Sequence, residues 1–310
     1  MHQPESIPQN NRQAIFGYLF VLLGAFGFSA KAVLVKLAYS YSNQLDAITL
    51  MVLRMAISLP FFLVVALWSA NDSTTDDAQR LNRHDWLMIF GLGLLGYYIA
   101  SFLDFAGLQY ISAGLERLII FLYPTFVVLF TAALQRRAIN RHQAVALVLS
   151  YAGMILVFVD NMAAMASSGL LLGSALVLAS AIAFAFFLMG SGMMVKRIGS
   201  TRFTAYSMTV ACLATGLHFV IQHGVKLLDL PTNVYWLALI MAVFSTVLPA
   251  FFMNAGIRRI GAGSASIISS TGPIGTLALA FLLLGETLTP AQLAGTALVL
   301  IGVYVVSRAK

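Results

Sequence analysis

Charge is what this chain has least of. Only 9% of its 310 residues are Asp, Glu, Lys or Arg, where a soluble domain carries about a quarter. A water-facing globular surface is therefore excluded. Cysteine is nearly absent too: Cys212 stands alone inside an apolar block, which excludes a disulfide framework and a cysteine-based metal centre. No Gly-Lys-Ser/Thr phosphate loop, no His-Glu-x-x-His pair and no Gly-x-Ser-x-Gly elbow occurs. Direct ATP drive, a zinc-helix hydrolase and a serine hydrolase of that type go with them. His84, His142, His218 and His223 are scattered near loops and helix ends and read as interfacial residues, not ligands. No metal and no cofactor is expected. The run "GLGLLG" (Gly91–Gly96) matches a dinucleotide fingerprint in letters, but no strand precedes it, so it reads as helix packing.

What the chain has is apolar length. Hydrophobic residues make up 60% of it, in blocks of about 20, the length that crosses a bilayer core as a helix. Ten spans are expected, near 16–38, 46–69, 86–110, 113–134, 142–160, 169–195, 203–225, 235–257, 261–284 and 289–307. The fold class is an all-α polytopic membrane protein whose surroundings are the lipid bilayer. The first apolar block is too long for a cleaved signal and reads as a retained helix. The longest connection, 70–83, is polar. A net charge of +7 does not point to nucleic acid, because the basic residues lie between apolar blocks in ones, twos and threes, as in cytoplasmic loops.

The second half repeats the first. A shift of 149 residues places Ala106-Gly107 on Ala255-Gly256, Ala113-Gly114 on Ala262-Gly263, Pro124 on Pro273, and Gly153 on Gly302 without a gap. Two units follow, 1–160 and 161–310, each of five helices. An odd number of helices per unit predicts that the two lie inverted in the membrane. With the N-terminus cytoplasmic, thirteen Lys and Arg residues fall in inside segments and only Lys36 and Lys226 in outside loops. That bias predicts both termini in the cytoplasm. Inverted repeats suit secondary transporters, which bind substrate near the midplane between the halves.

Three stretches carry a family resemblance: "AGLQYISAGLERLIIFLYPTFVVLFTAAL", "AGIRRIGAGSASIISSTGPIGTLALAFLLLGETLTPAQLAGTALVLIGVYVV" and "LMVLRMAISLPFFLVV". The chain resembles the drug/metabolite transporter superfamily, in particular EamA-type permeases with two EamA repeats. The resemblance implies export of amino acids, other metabolites or drugs. One departure stands out. The second repeat has the family's Gly-Glu, at Gly285-Glu286, where the first has Arg136-Arg137.

Five charges fall inside predicted spans and away from their very ends: Lys31, Arg54, Asp104, Glu116 and Arg117. At about 1.5 Å per residue they lie roughly 5–12 Å below the outer helix ends. All five belong to the first repeat, and their cost in lipid predicts that they face the bundle interior and pair. Three cations against two anions leave one positive charge over. In one reading Arg54 or Lys31 meets a substrate carboxylate while Asp104 or Glu116 carries a proton. In the other, the cluster is a structural ion network that fixes helix packing. Pro124 and Pro273 predict kinks or broken helices at matching depths. Ser269, Ser270 and Thr271 could contact substrate or bond neighbouring helices. Tyr97, Tyr98, Phe102, Phe105, Phe121 and Tyr123 could line a cavity or fill core. The expected substrate-binding set is Lys31, Arg54, Asp104, Glu116, Tyr98, Tyr123, Ser269 and Ser270.

These expectations amount to a secondary transporter, an exporter of small metabolites in a bacterial inner membrane. It would work by alternating access, with amino acids as one substrate class and protons as one coupling ion. The competing class is an intramembrane enzyme or lipid-modifying protein. Asp104 and Glu116 would have to supply its chemistry, and the cations beside them disfavour it.

Overall fold

The computed structural model describes residues 11–71, 81–136, 141–164, 169–224, 229–269 and 271–308. Most of the polar connection, 72–80, lies outside them, as do Arg137, Lys226 and Ser270. Every regular element among the described residues is helical. In chain order they are α1 (Asn11–Tyr41), α2 (Ala47–Asn71), α3 (Arg83–Gly93), a π-helical segment (Leu94–Ile99), α4 (Ala100–Gly107), α5 (Ala113–Ile120), α6 (Tyr123–Gln135), α7 (Arg141–Ala164), α8 (Leu170–Ile198) and α9 (Ser200–His223). Then come α10 (Thr232–Ala242), a second π-helical segment (Val243–Val247), α11 (Leu248–Ser269), α12 (Gly272–Leu284) and α13 (Pro290–Arg308). Seven helical stretches among the described residues are long and apolar enough to cross a membrane. Three shorter apolar stretches, Leu147–Asp160, Gly272–Leu284 and Pro290–Gly302, accompany them.

Local features recur with the sequence repeat. α3 and α10 begin 149 residues apart, at Arg83 and Thr232, and each runs into a π-helical segment, at Leu94 and at Val243. α6 and α12 carry Pro124 and Pro273 in their first turns. Both close on a left-handed residue, Arg136 with φ 50° and Gly285 with φ 65°. A side chain makes that conformation costly and glycine does not. Gly285 therefore suits a backbone requirement that Arg136 meets under strain.

Contacts sort the helix ends into two groups. The Tyr39 hydroxyl, near the end of α1, donates to the Phe105 carbonyl near the end of α4, and Asp46 meets His223 at the end of α9. At the opposite end, buried Asp85 of α3 pairs with Arg197 of α8 at 2.7 Å. Asp85 also closes a capping box with Asn82 that satisfies two free amides of α3. α11 packs along α1 in reverse direction, Pro249 against Gly27 and Ile260 against Gly17. Gly272, twelve residues on, is back beside Ser29. The path therefore turns back between Ile260 and Gly272, close to the boundary expected between the eighth and ninth spans.

Without a hydrophobic drive between helices in lipid, small residues set how closely they approach. α7 and α13 cross at Gly153 and Gly295, where a Cβ on Gly295 would lie 2.6 Å from the Gly153 carbonyl oxygen. Backbone cannot retreat as a flexible side chain can. Gly295→Ala is therefore expected to destabilise the protein by about 1–3 kcal/mol, read as a lower Tm in detergent. Within "GLGLLG", Gly93 packs on the Ser207 backbone and Gly96 on the Phe187 ring, while Gly91 meets nothing within 4 Å. Two of its three glycines thus serve helix packing.

Candidate functional site

The charged residues of the first half converge. Lys31 on α1 donates to Asp104 Oδ2 on α4 at 2.6 Å. α4 closes at Gly107, so Asp104 lies about 5 Å from its helix end, shallower than the sequence count gave. Lys31 lies deeper, since α1 runs on to Tyr41, and its long side chain spans the difference. Asp104 is 1% exposed and Glu116 0%, and their carboxyl groups are near enough to interact electrostatically.

Ser112 starts α5 by accepting from the Leu115 amide at 3.2 Å. This places Glu116 in the first turn, where the helix dipole favours a negative charge. Consecutive helix residues point about 100° apart, and Arg117 accordingly turns elsewhere. Its guanidinium lies over the Phe121 ring at 5.2 Å and approaches Ser29 Oγ at 3.4 Å. Arg54 on α2 is 4% exposed and lies over the Phe105 ring at 4.7 Å. Asp104 is within electrostatic reach of both arginines.

Pairing stops there. Arg54 Nε and Nη2, Arg117 Nε, Asp104 Oδ1 and both Glu116 oxygens have no hydrogen-bond partner among the described residues. These are six of the ten such buried side-chain atoms there, concentrated in four residues. Buried polar groups are almost always satisfied in native proteins, so the concentration marks a place where a ligand, water or proton completes the bonding.

The expected aromatic wall divides. Phe105 and Phe121 lie beneath the arginines, and Tyr123 packs edge-on against Phe184 at 5.2 Å within electrostatic reach of Arg117. Tyr98 turns away to α9, where its hydroxyl meets His218 Nδ1 at 2.8 Å, with Phe102 against the same ring. His218, near the end of α9, thus packs against the bundle. Ser270, and the side chain of Ser269, lie outside the described residues. Thr271 donates to the Ile268 carbonyl at 2.8 Å.

Both proline segments are interrupted. α5 ends at Ile120 and α6 starts at Tyr123, while α11 ends at Ser269 and α12 starts at Gly272. The second break is tied to α1, because Ser29 Oγ lies 2.9 Å from the Gly272 carbonyl oxygen and Thr276 donates to the Ser29 carbonyl.

Glu286 is a residue near this cluster whose place sequence reasoning left unassigned. Its carboxylate accepts from the amides of Ala113 at 2.9 Å and Gly114 at 3.3 Å. It so caps α5 from the other half of the chain, across 173 residues. The Gly-Glu pattern signalled the residue, and only the fold could supply its partner.

A second tie joins the same end. Asp46 Oδ2 accepts from His223 Nε2 at 2.8 Å and Gln222 Nε2 at 3.2 Å, and Oδ1 accepts from the Thr49 amide. Burial opposes the charge on Asp46, but the bonds from Thr49 and His223 outweigh it and hold the carboxyl below its ordinary value of 3.8. A carboxyl depressed in the folded state adds stability at neutral pH that is lost as pH falls through the acid range. Tm should therefore fall below about pH 4, and Asp46→Asn should flatten that part of the profile.

Buried ionisable groups inside a multi-pass helical bundle, clustered between packed helices, are features of a membrane transport protein. The EamA-like transporter family profile matches residues 15–159 and again 171–308, and the chain belongs to that family. It is 32% identical over 288 residues to an uncharacterized transporter, YcbK, of Bacillus subtilis, covering 92% of this chain and 90% of that one. An uncharacterized transporter of Archaeoglobus fulgidus is 25% identical over 272 residues, 87% and 92% of the two chains. One of Synechocystis is 26% identical over 321 residues, 96% and 94%. A solved crystal structure shares the fold with a TM-score of 0.60 at 19% identity, covering 96% of this chain and 98% of that one. The protein is a multi-pass membrane protein of a transporter family, which points to transport and not to an intramembrane enzyme.

Proposed function

We propose that this protein is a secondary transporter that exports small carboxylate-bearing metabolites, amino acids among them, across the bacterial inner membrane in exchange for protons. The chain crosses the membrane ten times as two inverted five-helix units, 1–160 and 161–310, with both termini cytoplasmic. The recurrence of helix starts, π-helical segments and proline breaks at 149 residues supports the units. The thirteen-to-two distribution of basic residues supports the orientation.

The observation that carries the reading is the set of six unpartnered atoms on Arg54, Asp104, Glu116 and Arg117. A guanidinium with free N–H groups and excluded from water is a carboxylate receptor, because the fork geometry matches two oxygens. Two carboxyl groups in contact are cheaper with one proton between them than with two charges. That proton gives Glu116 a donor toward Asp104 and supplies the coupling ion. Lys31, Arg54, Asp104 and Glu116 would hold substrate and proton, with Tyr123 beside them. Tyr98 supports the wall through His218, and Ser269 and Ser270 are proposed at the second proline break.

The test is uptake into proteoliposomes of the purified protein from a pooled panel of amino acids and small carboxylates, with and without a pH gradient, read by mass spectrometry. Enrichment of a few related compounds that grows with the gradient is expected. Enrichment indifferent to the gradient would remove the proton, and no enrichment with folded protein would remove the transport reading at this site.

A further inference from the structure

Counting charge by its partners gives a more specific substrate than a single carboxylate. The Lys31 ammonium is taken by Asp104 at 2.6 Å. Glu116, the other anion, accepts from neither arginine: both its oxygens are unpartnered although Arg117 is its neighbour in sequence. It is within electrostatic reach of both Asp104 and Arg117, and with the shared proton proposed above the two carboxyl groups bring one negative charge to three positive ones.

Two guanidinium groups are then left over together. Each is buried and lies over a phenyl ring, Arg54 on Phe105 and Arg117 on Phe121. Each keeps an unpartnered Nε. Stacking engages the face of a guanidinium and leaves its N–H edge free to bind. Arg54 lies over Phe105, the neighbour of Asp104 in sequence, and Arg117 approaches Ser29, two residues before the Lys31 that bonds Asp104, so the two arginines flank the same carboxyl. We infer that Arg54 and Arg117 bind opposite ends of one doubly negative small molecule, such as a dicarboxylate, in place of a zwitterionic amino acid. Resting on the transport reading above, this names the substrate class of the same site. A zwitterion would bring an ammonium to a site whose unpartnered charges are positive, and would leave one arginine without an anion. A dianion satisfies both.

The experiment uses the purified full-length protein. Thermal unfolding is followed with succinate, glutarate, 1,2-ethanedisulfonate, acetate and alanine at neutral pH, and labelled succinate and alanine are then offered to proteoliposomes. The disulfonate keeps its two charges at any pH used. The dianions are expected to raise Tm at concentrations at which acetate and alanine do not, and succinate to enter the vesicles. Arg54→Gln and Arg117→Gln should each weaken the succinate response about tenfold or more, the scale of one lost charge-assisted pair. Arg117→Lys, which keeps the charge without the fork, should restore part of it. This control separates loss of binding from loss of folding. If alanine or acetate binds and enters as well as any dianion and Arg117→Gln leaves that unchanged, one arginine holds the substrate: the dianion inference fails and the transport reading stands. If no dianion shifts Tm the inference also fails, and if nothing in the wider panel enters the vesicles the transport reading falls with it.

Discussion

Arg54→Gln is expected to cut transport by about 100-fold or more while leaving the protein folded, with a Tm equal to or above that of the parent. The two effects have opposite signs for a physical reason. Removing one partner of a buried ion pair costs about 3–5 kcal/mol because it strands the other charge. Arg54 has no ion pair among the described residues: Nε and Nη2 are unbonded there, Phe105 is its close neighbour, and Asp104 acts on it only electrostatically. Glutamine there removes an uncompensated charge from a buried place, and Asp104 keeps Lys31. Asp104→Asn is the contrast. It breaks the 2.6 Å bond to Lys31 and should lower stability, by about 3 kcal/mol at most, since Lys31 is one-fifth exposed. Uptake assays and melting curves on the two variants check this together. A large drop in Tm for Arg54→Gln would make Arg54 a packing residue and the cluster a structural network.

The sequence made the cluster legible because each of its members is a charge in an apolar run, and lipid allows few of those. It made the repeat legible because glycine and proline mark backbone geometry, so Pro124 and Pro273 kept their spacing while the side chains around them diverged. Less legible was anything set by the direction of a side chain or by contact across the chain. Tyr98 and Phe105 belong to the same apolar stretch, yet one turns to His218 and the other lies beneath Arg54. The π-helical segment at Leu94–Ile99 precedes and includes part of that stretch and shifts the faces that regular helical counting would assign. Asp85 drew no reading from the sequence and is buried against Arg197. Glu286 was visible as half of a pattern, but its role as a cap on α5 depends on two helices meeting from opposite halves. No carboxylate stands at the matching place of the first half, where Arg137 follows Arg136. The corresponding amides at Ala262 and Gly263 have no acidic cap from that position. The proposed inversion is therefore symmetric in backbone and unsymmetric in chemistry, with the ion cluster and the carboxylate cap both serving the first half.

In the proposed mechanism the same asymmetry puts the coupling proton in one place, which makes Glu116→Gln decisive. An amide can donate to Asp104 as a protonated carboxyl does, and it cannot release a proton. The variant should fold with a stability within about 1 kcal/mol of the parent, because it keeps one donor for Asp104. It should still exchange labelled for unlabelled substrate across the vesicle membrane, since exchange returns the site to the same protonation state in each half-cycle. Net uptake driven by an imposed pH gradient should fall to the level of empty liposomes, because the carrier no longer moves a proton with each turn. Two further results would identify a different arrangement. If Glu116 is an ionised partner of Arg117, glutamine should cost about 3 kcal/mol or more and leave the response to the gradient intact. If Asp104 carries the proton alone, gradient drive should survive Glu116→Gln and disappear in Asp104→Asn. Counterflow and gradient-driven uptake on one preparation separate these cases, because the first reads substrate binding and the second reads the proton.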